Sequence, residues 1–217
     1  MHVASGPTME YPLNFKKRNE IIKLLVNLKI TNIIPKTKFL GKDLFFDKRV
    51  EHVVLFDNLD LMKILQKNFS EKGIRTKIRD FPYFEESSRI ANQLIKEFSW
   101  ISENHRPFAY ICGGESTVRI NGSGKGGRMQ ELIGYAIEPI SKLPHSYILG
   151  IGSDGRDYVK GIAGAYANTD TYKKIKLNLK KYLEDNDSYN LHYRLGSLIK
   201  SPKNNLNVGD FVILLKN

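Results

Sequence analysis

Cysteine is almost missing from this chain. Cys112 stands alone among 217 residues, so no disulfide can form within it and a reducing compartment is the expectation. Histidine is also scarce, and the five present are scattered without the spacing of a zinc site. Long apolar runs are lacking: the most apolar early segment, Ile21 to Ile30, is interrupted by Lys23 and Lys29 and is too short to cross a bilayer. The opening residues are mixed and polar rather than a leader sequence, which leads to the expectation of a cytoplasmic protein with no membrane partner. There is no internal repeat and no low-complexity tail.

What is abundant is positive charge. Thirty-four Lys and Arg against 23 Asp and Glu give a formal net charge of +11. Such a balance permits nucleic acid, acidic lipid or phosphorylated small molecules as partners. A basic face at Lys173, Lys174, Lys176, Lys180 and Lys181 is better read as a solvated helix surface, and nucleic-acid binding is not expected. With 41% hydrophobic and 26% charged residues, the composition is that of a globular protein of one large or two small domains.

Residues 15–30 carry helical spacing, ended by Pro35. His52 to Phe56 reads as a buried strand. Asp57 and Asn58 are cap-type residues before a helical face of Leu61, Ile64, Leu65 and Phe69, which Gly73 closes. Ile74 to Ile78 is a second strand, Ile90, Leu94, Ile95 and Phe98 mark a second helix, and Phe108 to Cys112 is a third strand. This alternation predicts a parallel sheet with right-handed crossovers. Further on, 116–120 reads as a strand, and Met129, Leu132, Ile133, Ala136, Ile137 and Ile140 form a one-sided helical stripe. Tyr147 to Ile151 is a strand, Thr169 and Asp170 can cap a helix running to Leu183, and Leu195 to Ile199 and Phe211 to Leu215 are the last apolar runs.

The chain is organised around Cys112 to Glu131, which holds six glycines, the carboxylate of Glu115, and the cations Arg119, Lys125 and Arg128. Flexible backbone and positive charge at the mouth of a helix suit an anion. Gly122, Gly124 and Gly127 satisfy G-x-G-x-x-G, but residues 115–120 separate them from the preceding strand, so a nicotinamide cofactor is disfavoured. Lys125 is followed by Gly126 rather than Ser or Thr, so this is not a Walker A loop. A phosphate cradle and an ordinary hairpin remain open. So do two readings of Asp154 and Asp157, three apart on a glycine-flanked loop: a Mg²⁺ site or an Asx-type turn.

Five motifs occur in order: Gly113-Gly-Glu-Ser-Thr-Val, Gly-Lys-Gly-Gly-Arg128-Met-Gln-Glu131, Gly152-Ser-Asp-Gly-Arg-Asp157, Ala163-Gly-Ala165 and Asp185-Asn-Asp-Ser-Tyr189. Together they resemble the glycerate 2-kinase family, some of whose relatives carry the label hydroxypyruvate reductase. The span from about residue 107 to the end is similar to that family's C-terminal MOFRL domain, and Ala4-Ser-Gly-Pro-Thr8 with 52–112 looks like the closing part of its Rossmann-like domain. The resemblance implies an α/β fold: 1–105 a partial Rossmann-like parallel sheet unit, 106–217 a small α/β MOFRL-type domain. It also implies phosphoryl transfer from ATP to glycerate with Mg²⁺. In that reading Arg128 neutralises the transferring phosphoryl group, and Glu115 and Asp154 are its catalytic companions. Ser5, Gly6, Thr8, Asn58, Gly113, Gly114, Lys125, Gly126, Gly127 and Gln130 line the phosphate and substrate sites, and Asp154 and Asp157 contact metal.

Relative to the family pattern, roughly the first half is absent and the chain begins inside the Ser-Gly-Pro-Thr motif. Gly-Ser-Asn is replaced by Phe56-Asp57-Asn58, Met129 replaces an Asn, and the late Gly-Thr-Asn-Val survives only in part at Asn205-Leu-Asn-Val208. Turnover is therefore expected to need a complementing N-terminal half, or the chain acts by self-association. The alternative is a non-catalytic MOFRL-domain protein serving as a binding or interaction subunit.

Overall fold

The computed structural model describes residues 55–202 and 204–217. The readings made for Ser5, Gly6 and Thr8, for the helix at 15–30, and for all but the end of the strand at 52–56 lie outside the described residues. Leu55 and Phe56, at that end, are exposed and carry no strand pairing.

Helix α1 (Asn58–Glu71) starts at a reciprocal cap. The Asp57 side chain accepts from the Asp60 N–H and the Asp60 side chain accepts from the Asp57 N–H, both at 3.0 Å. Strand β1 (Arg75–Ile78), helix α2 (Ser87–Ile101) and strand β2 (Phe108–Gly114) follow. Then come helix α3 (Arg128–Ile140), strands β3 (Ser146–Gly152) and β4 (Ile162–Asn168), and the short helices α4 (Thr171–Ile175), α5 (Leu179–Glu184) and α6 (Ser188–Leu195). Strands β5 (Leu198–Lys200) and β6 (Asp210–Lys216) complete the chain.

The six strands form one mixed sheet in the order β1-β2-β6-β3-β4-β5. The expected parallel pairing holds for β1 and β2. Every later pair is antiparallel, because β6 returns between β2 and β3 and runs against both. The expected boundary between residues 105 and 106 falls between α2 and β2, which both contribute to one core. An ion-pair network ties the same elements together: Arg79, after β1, donates to Glu97 on α2 at 2.8 and 2.9 Å, and Tyr110 on β2 donates to the same carboxylate at 2.9 Å.

Two local expectations are corrected, and one strand forms where no element was expected. Residues 116–120 do not form a strand; Thr117 makes a single bridge to Glu86, because both sides of β2 are already taken by β1 and β6. The stretch at 161–166 is part of a strand, β4, whose small residues hide the usual β-branched signal. The lysine-rich helix is two short helices, α4 and α5, with a break at residues 176–178; closely spaced like charges weaken a continuous helix.

Helices α2 and α3 cover one face of the sheet, burying Ile90, Leu94 and Phe98 with Leu132, Ile133, Ile137 and Ile140 against β2, β3 and β6. On the other face α1 brings Met62, backed by Leu61, Leu65 and Phe69, onto Ile111, Phe211 and Ile213, while Ile64 faces outward. Helix α3 is buried more completely than a single stripe predicts: Gly134, on its far side, lies against Leu183 and Leu191. Behind it His192 on α6 is fully buried, its Nδ1 paired with the Ser197 hydroxyl at 2.8 Å and its Nε2 with the Gln130 carbonyl at 2.9 Å.

Burial lowers the His192 pKa to about 4. A histidine depressed in the folded state takes up its proton on unfolding. Its contribution to stability is complete above about pH 6.5 and is lost as pH falls toward the folded value. The pH-dependent part is about 3 kcal/mol between those limits. Urea unfolding of wild type and His192→Asn should therefore show the wild type losing more stability from pH 6.5 to 4; parallel profiles would refute the assignment.

Candidate functional site

Strands β2 and β3 end, and β6 begins, on one edge of the sheet, with Gly114 and Gly152 both opposite Asp210. The N-termini of α1 and α3 reach the same edge: Asn58 lies against Gly113, and Arg128 reaches Asp210. This is the edge at which α/β sheets carry ligands.

Arg128 is the first residue of α3, and its guanidinium touches two carboxylates. Nη1 donates to Glu115 Oε1, and Nη2 lies 3.2 Å from Asp210 Oδ2. The two acids differ in setting: the Glu115 side chain is 47% exposed, and that of Asp210 only 7%. Burial pushes the Asp210 carboxyl up to about 7; Arg128 opposes the rise, and Asp157, Glu115 and Asp154 add to it. A carboxyl poised near neutrality within a charged cluster is the mark of a functional site.

Asp157 has a different task from the metal contact expected of it. Its two oxygens accept from the backbone N–H groups of Met129 at 3.0 Å and Gln130 at 2.8 Å, and from Gln130 Nε2 at 2.9 Å. It is the cap of α3, supplied from the β3–β4 loop because the residue in the N-cap position, Gly127, has no side chain to give. A Cβ on Gly127 would lie 2.3 Å from the Asp157 carboxylate, so the glycine is required by the cap. Burial raises the Asp157 pKa, and the donors from Met129 and Gln130 oppose that rise. Gln130, fully buried, also donates to the Asp157 carbonyl at 2.9 Å, so its amide positions the cap rather than meeting phosphate.

Asp154 forms the Asx turn that the sequence left open: its Oδ1 accepts from the Arg156 N–H at 3.0 Å. Among the described residues no group of three or more His, Cys, Asp or Glu is arranged around a metal position.

The glycine-rich loop does meet an anion, but one from its own chain. Asn186 Oδ1 accepts from the backbone of Asn121 at 2.7 Å and Gly122 at 3.0 Å. Asp185 Oδ1 accepts from the Ser123 N–H at 2.9 Å, the Asp185 carbonyl from Gly124 at 2.8 Å, and Asp187 Oδ1 from Lys125 at 3.1 Å. Five successive amides that suit a phosphate are thus taken by the α5–α6 turn. The Lys125 ammonium sits over the Tyr189 ring, 4.9 Å from its centroid, and Gly126 packs against Ser188. Lys125, expected at phosphate, is thus engaged within the chain, whereas Gly126, expected there too, only packs against Ser188. The amides of Gly126, Gly127 and Arg128 have no hydrogen-bond partner among the described residues.

Asn58 is buried; its Nδ2 donates to the Val208 carbonyl at 2.7 Å and joins α1 to the segment leading into β6. Gly113 lies beneath that side chain and Gly114 beneath Tyr83. The edge therefore assembles Asn58, Gly113, Gly114, Glu115, Arg128, Asp154 and Asp157. Sequence reading missed Asp210 and the clasping role of Asp185, Asn186 and Asp187. The signal for Asp210 was present: an acid after Gly209 at the entry to an apolar strand.

Residues 108–210 match the MOFRL family. Among curated relatives, the glycerate 2-kinase of Picrophilus torridus is 30% identical over 222 residues, covering 97% of this chain and 49% of that protein. The glycerate 2-kinase of Pyrococcus horikoshii is 26% identical over 235 residues, covering 98% and 52%. The chain thus spans about half the length of these relatives. The crystal structure of glycerate kinase from Thermotoga maritima superposes with a TM-score of 0.72 at 24% identity, over 92% of this chain and 50% of that one, which establishes the α/β fold.

Two stability measurements test this site. Asp157→Ala leaves the α3 amides unpaired and should cost about 1–3 kcal/mol in urea unfolding. Asp210→Asn should act oppositely at high pH. An acid whose folded pKa is raised contributes stability at low pH that is lost as pH rises through the folded value, here about 7. The variant should gain on wild type at pH 8 and the gain should close by pH 4; a pH-independent difference would refute the assignment.

Proposed function

We propose that this chain provides one wall of a glycerate kinase site, in which Arg128 stabilises the phosphoryl group passing from ATP to glycerate. The observation that carries this reading is the Arg128 guanidinium, half-exposed at the mouth of a buried helix and aligned by carboxylates. The glycerate 2-kinase relatives supply the reaction class.

In such a transfer the substrate hydroxyl oxygen attacks the terminal phosphorus, the bond to the ADP oxygen breaks, and the hydroxyl proton leaves. Charge accumulates on the phosphoryl oxygens, and a fixed guanidinium lowers the barrier because it needs no reorganisation. Glu115, Asp154, Asp157 and Asp210 outnumber Arg128, so a cation that accompanies a polyphosphate strengthens its binding at this edge. That donor set fits Mg²⁺, which binds through one or two carboxylates and completes its shell with phosphate oxygens and water. Asp154 and Glu115 would hold it, since Asp157 is engaged on α3. When bound, Mg²⁺ supplies charge neutralisation of the phosphates. The residues of this chain orient: α3 carries Arg128, and Asp210 grips its inner nitrogen.

The remaining wall comes from a complementing N-terminal half. Phe81, Phe84 and Ile120 are 70%, 51% and 80% exposed, and they lie on the β1–α2 and β2–α3 connections that rim the edge. An exposed apolar rim beside a charged site suits a protein partner. Among the described residues no helix is long and apolar enough to cross a membrane.

The test is ATP-dependent phosphorylation of glycerate by the chain alone and mixed with a polypeptide spanning the N-terminal half of a glycerate 2-kinase relative. Turnover is expected in the mixture only, and Arg128→Ala should lower it roughly a hundredfold with folding intact. Silence in both would favour the second reading, an interaction subunit without turnover. The observation on that side is the glycine-rich loop, whose amides serve the fold rather than a nucleotide.

A further inference from the structure

The two carboxylates on Arg128 are not equivalent. Asp210 is the first residue of β6, fixed between β2 and β3 by pairing on both sides, and its side chain is 7% exposed. Its Oδ2 is buried with no hydrogen-bond partner of good geometry among the described residues, so the guanidinium at 3.2 Å is what compensates its charge. Removing Arg128 from Asp210 would leave a buried carboxylate uncompensated, which is costly. Glu115 is the reverse case. It follows β2 on a connection, its side chain is 47% exposed, and water can replace its contact to Arg128. A half-exposed ion pair is cheap to break.

We propose that Glu115 is an internal stand-in for the anion that Arg128 serves: an incoming phosphate displaces it from the outer guanidinium nitrogen while Asp210 keeps the inner one. The inference rests on the reading of Arg128 as the anion-facing cation. It goes further by assigning Asp210 as a positioning residue and Glu115 as an exchangeable occupant. The device solves a problem particular to this edge. An unpaired guanidinium beside Asp154, Asp157 and Asp210 could rotate inward among them, and a second carboxylate on the outer nitrogen holds it facing out. When phosphate takes over, the freed Glu115 carboxylate stays beside the site. The planar fork of Arg suits this exchange, because two parallel donors can hold different acceptors at once.

The test needs no turnover. Inorganic pyrophosphate is titrated into the metal-free chain by calorimetry at low salt and pH 8, above the Asp210 value of about 7. Glu115→Gln is expected to tighten binding about fivefold, the scale of one half-exposed ion pair. Glu85→Gln removes the same charge from an exposed neighbour, whose carbonyl accepts from the Thr117 N–H at 3.0 Å but which does not touch Arg128, and should change binding less than twofold. Equal tightening by both would show general electrostatics and overturn displacement. Nitrogen NMR of the Arg128 side chain tests the anchor. Slow guanidinium rotation should persist in Glu115→Gln and disappear in Glu115→Gln with Asp210→Asn; free rotation in the single variant would overturn the role of Asp210. If Arg128→Ala binds pyrophosphate as well as wild type does, the anion-facing reading of Arg128 fails. If binding needs Arg128 but Glu115→Gln does not tighten it, only the displacement fails.

Discussion

The capping of α3 by Asp157 is the interaction on which this structure turns. A helix buried on nearly every side cannot leave its first amides unpaired, and Gly127 offers no side chain to pair them. The carboxylate from the β3–β4 loop does so, and Gln130 locks it from the helix side. One contact therefore fixes the height of α3 against the sheet, the path of the β3–β4 loop and the starting point of Arg128. Through the Gln130 carbonyl it also reaches His192 and α6.

From that fixed point the electrostatics follow. Arg128 projects from the first turn toward the edge where β2 and β3 end and β6 begins, and it meets Asp210 there. Several acids crowd a single guanidinium. The crowding destabilises the ionised form of Asp210 and makes the edge receptive to cations and to cation-bound phosphates. A fold selected for stability alone would not keep such a cluster, and functional sites commonly do.

The glycine-rich loop shows how far composition can be read and where it stops. Glycines and a lysine before a helix do imply amides seeking an anion. The anion proves to be the Asp185-Asn186-Asp187 turn, more than sixty positions away in sequence. The same holds for Asp157, which sequence leaves between a metal ligand and a turn and which structure makes a helix cap. In both cases a polar group legible as a binding element is satisfied from within, because a distant segment supplies the partner.

What the amino-acid order determined by itself is local: the Asp57 cap and the helix after it, the core stripe of α3, the apolar strands β2, β3 and β6, and the ordered motifs that resemble those of the glycerate 2-kinases. These rest on periodicity and capping within a dozen residues. Tertiary structure alone decided the insertion of β6 between β2 and β3, the antiparallel half of the sheet, and the meeting of Arg128 with Asp210 across eighty residues of chain. Strand order and long-range ion pairs depend on which backbone edges and charges pack together, and no local pattern encodes that choice.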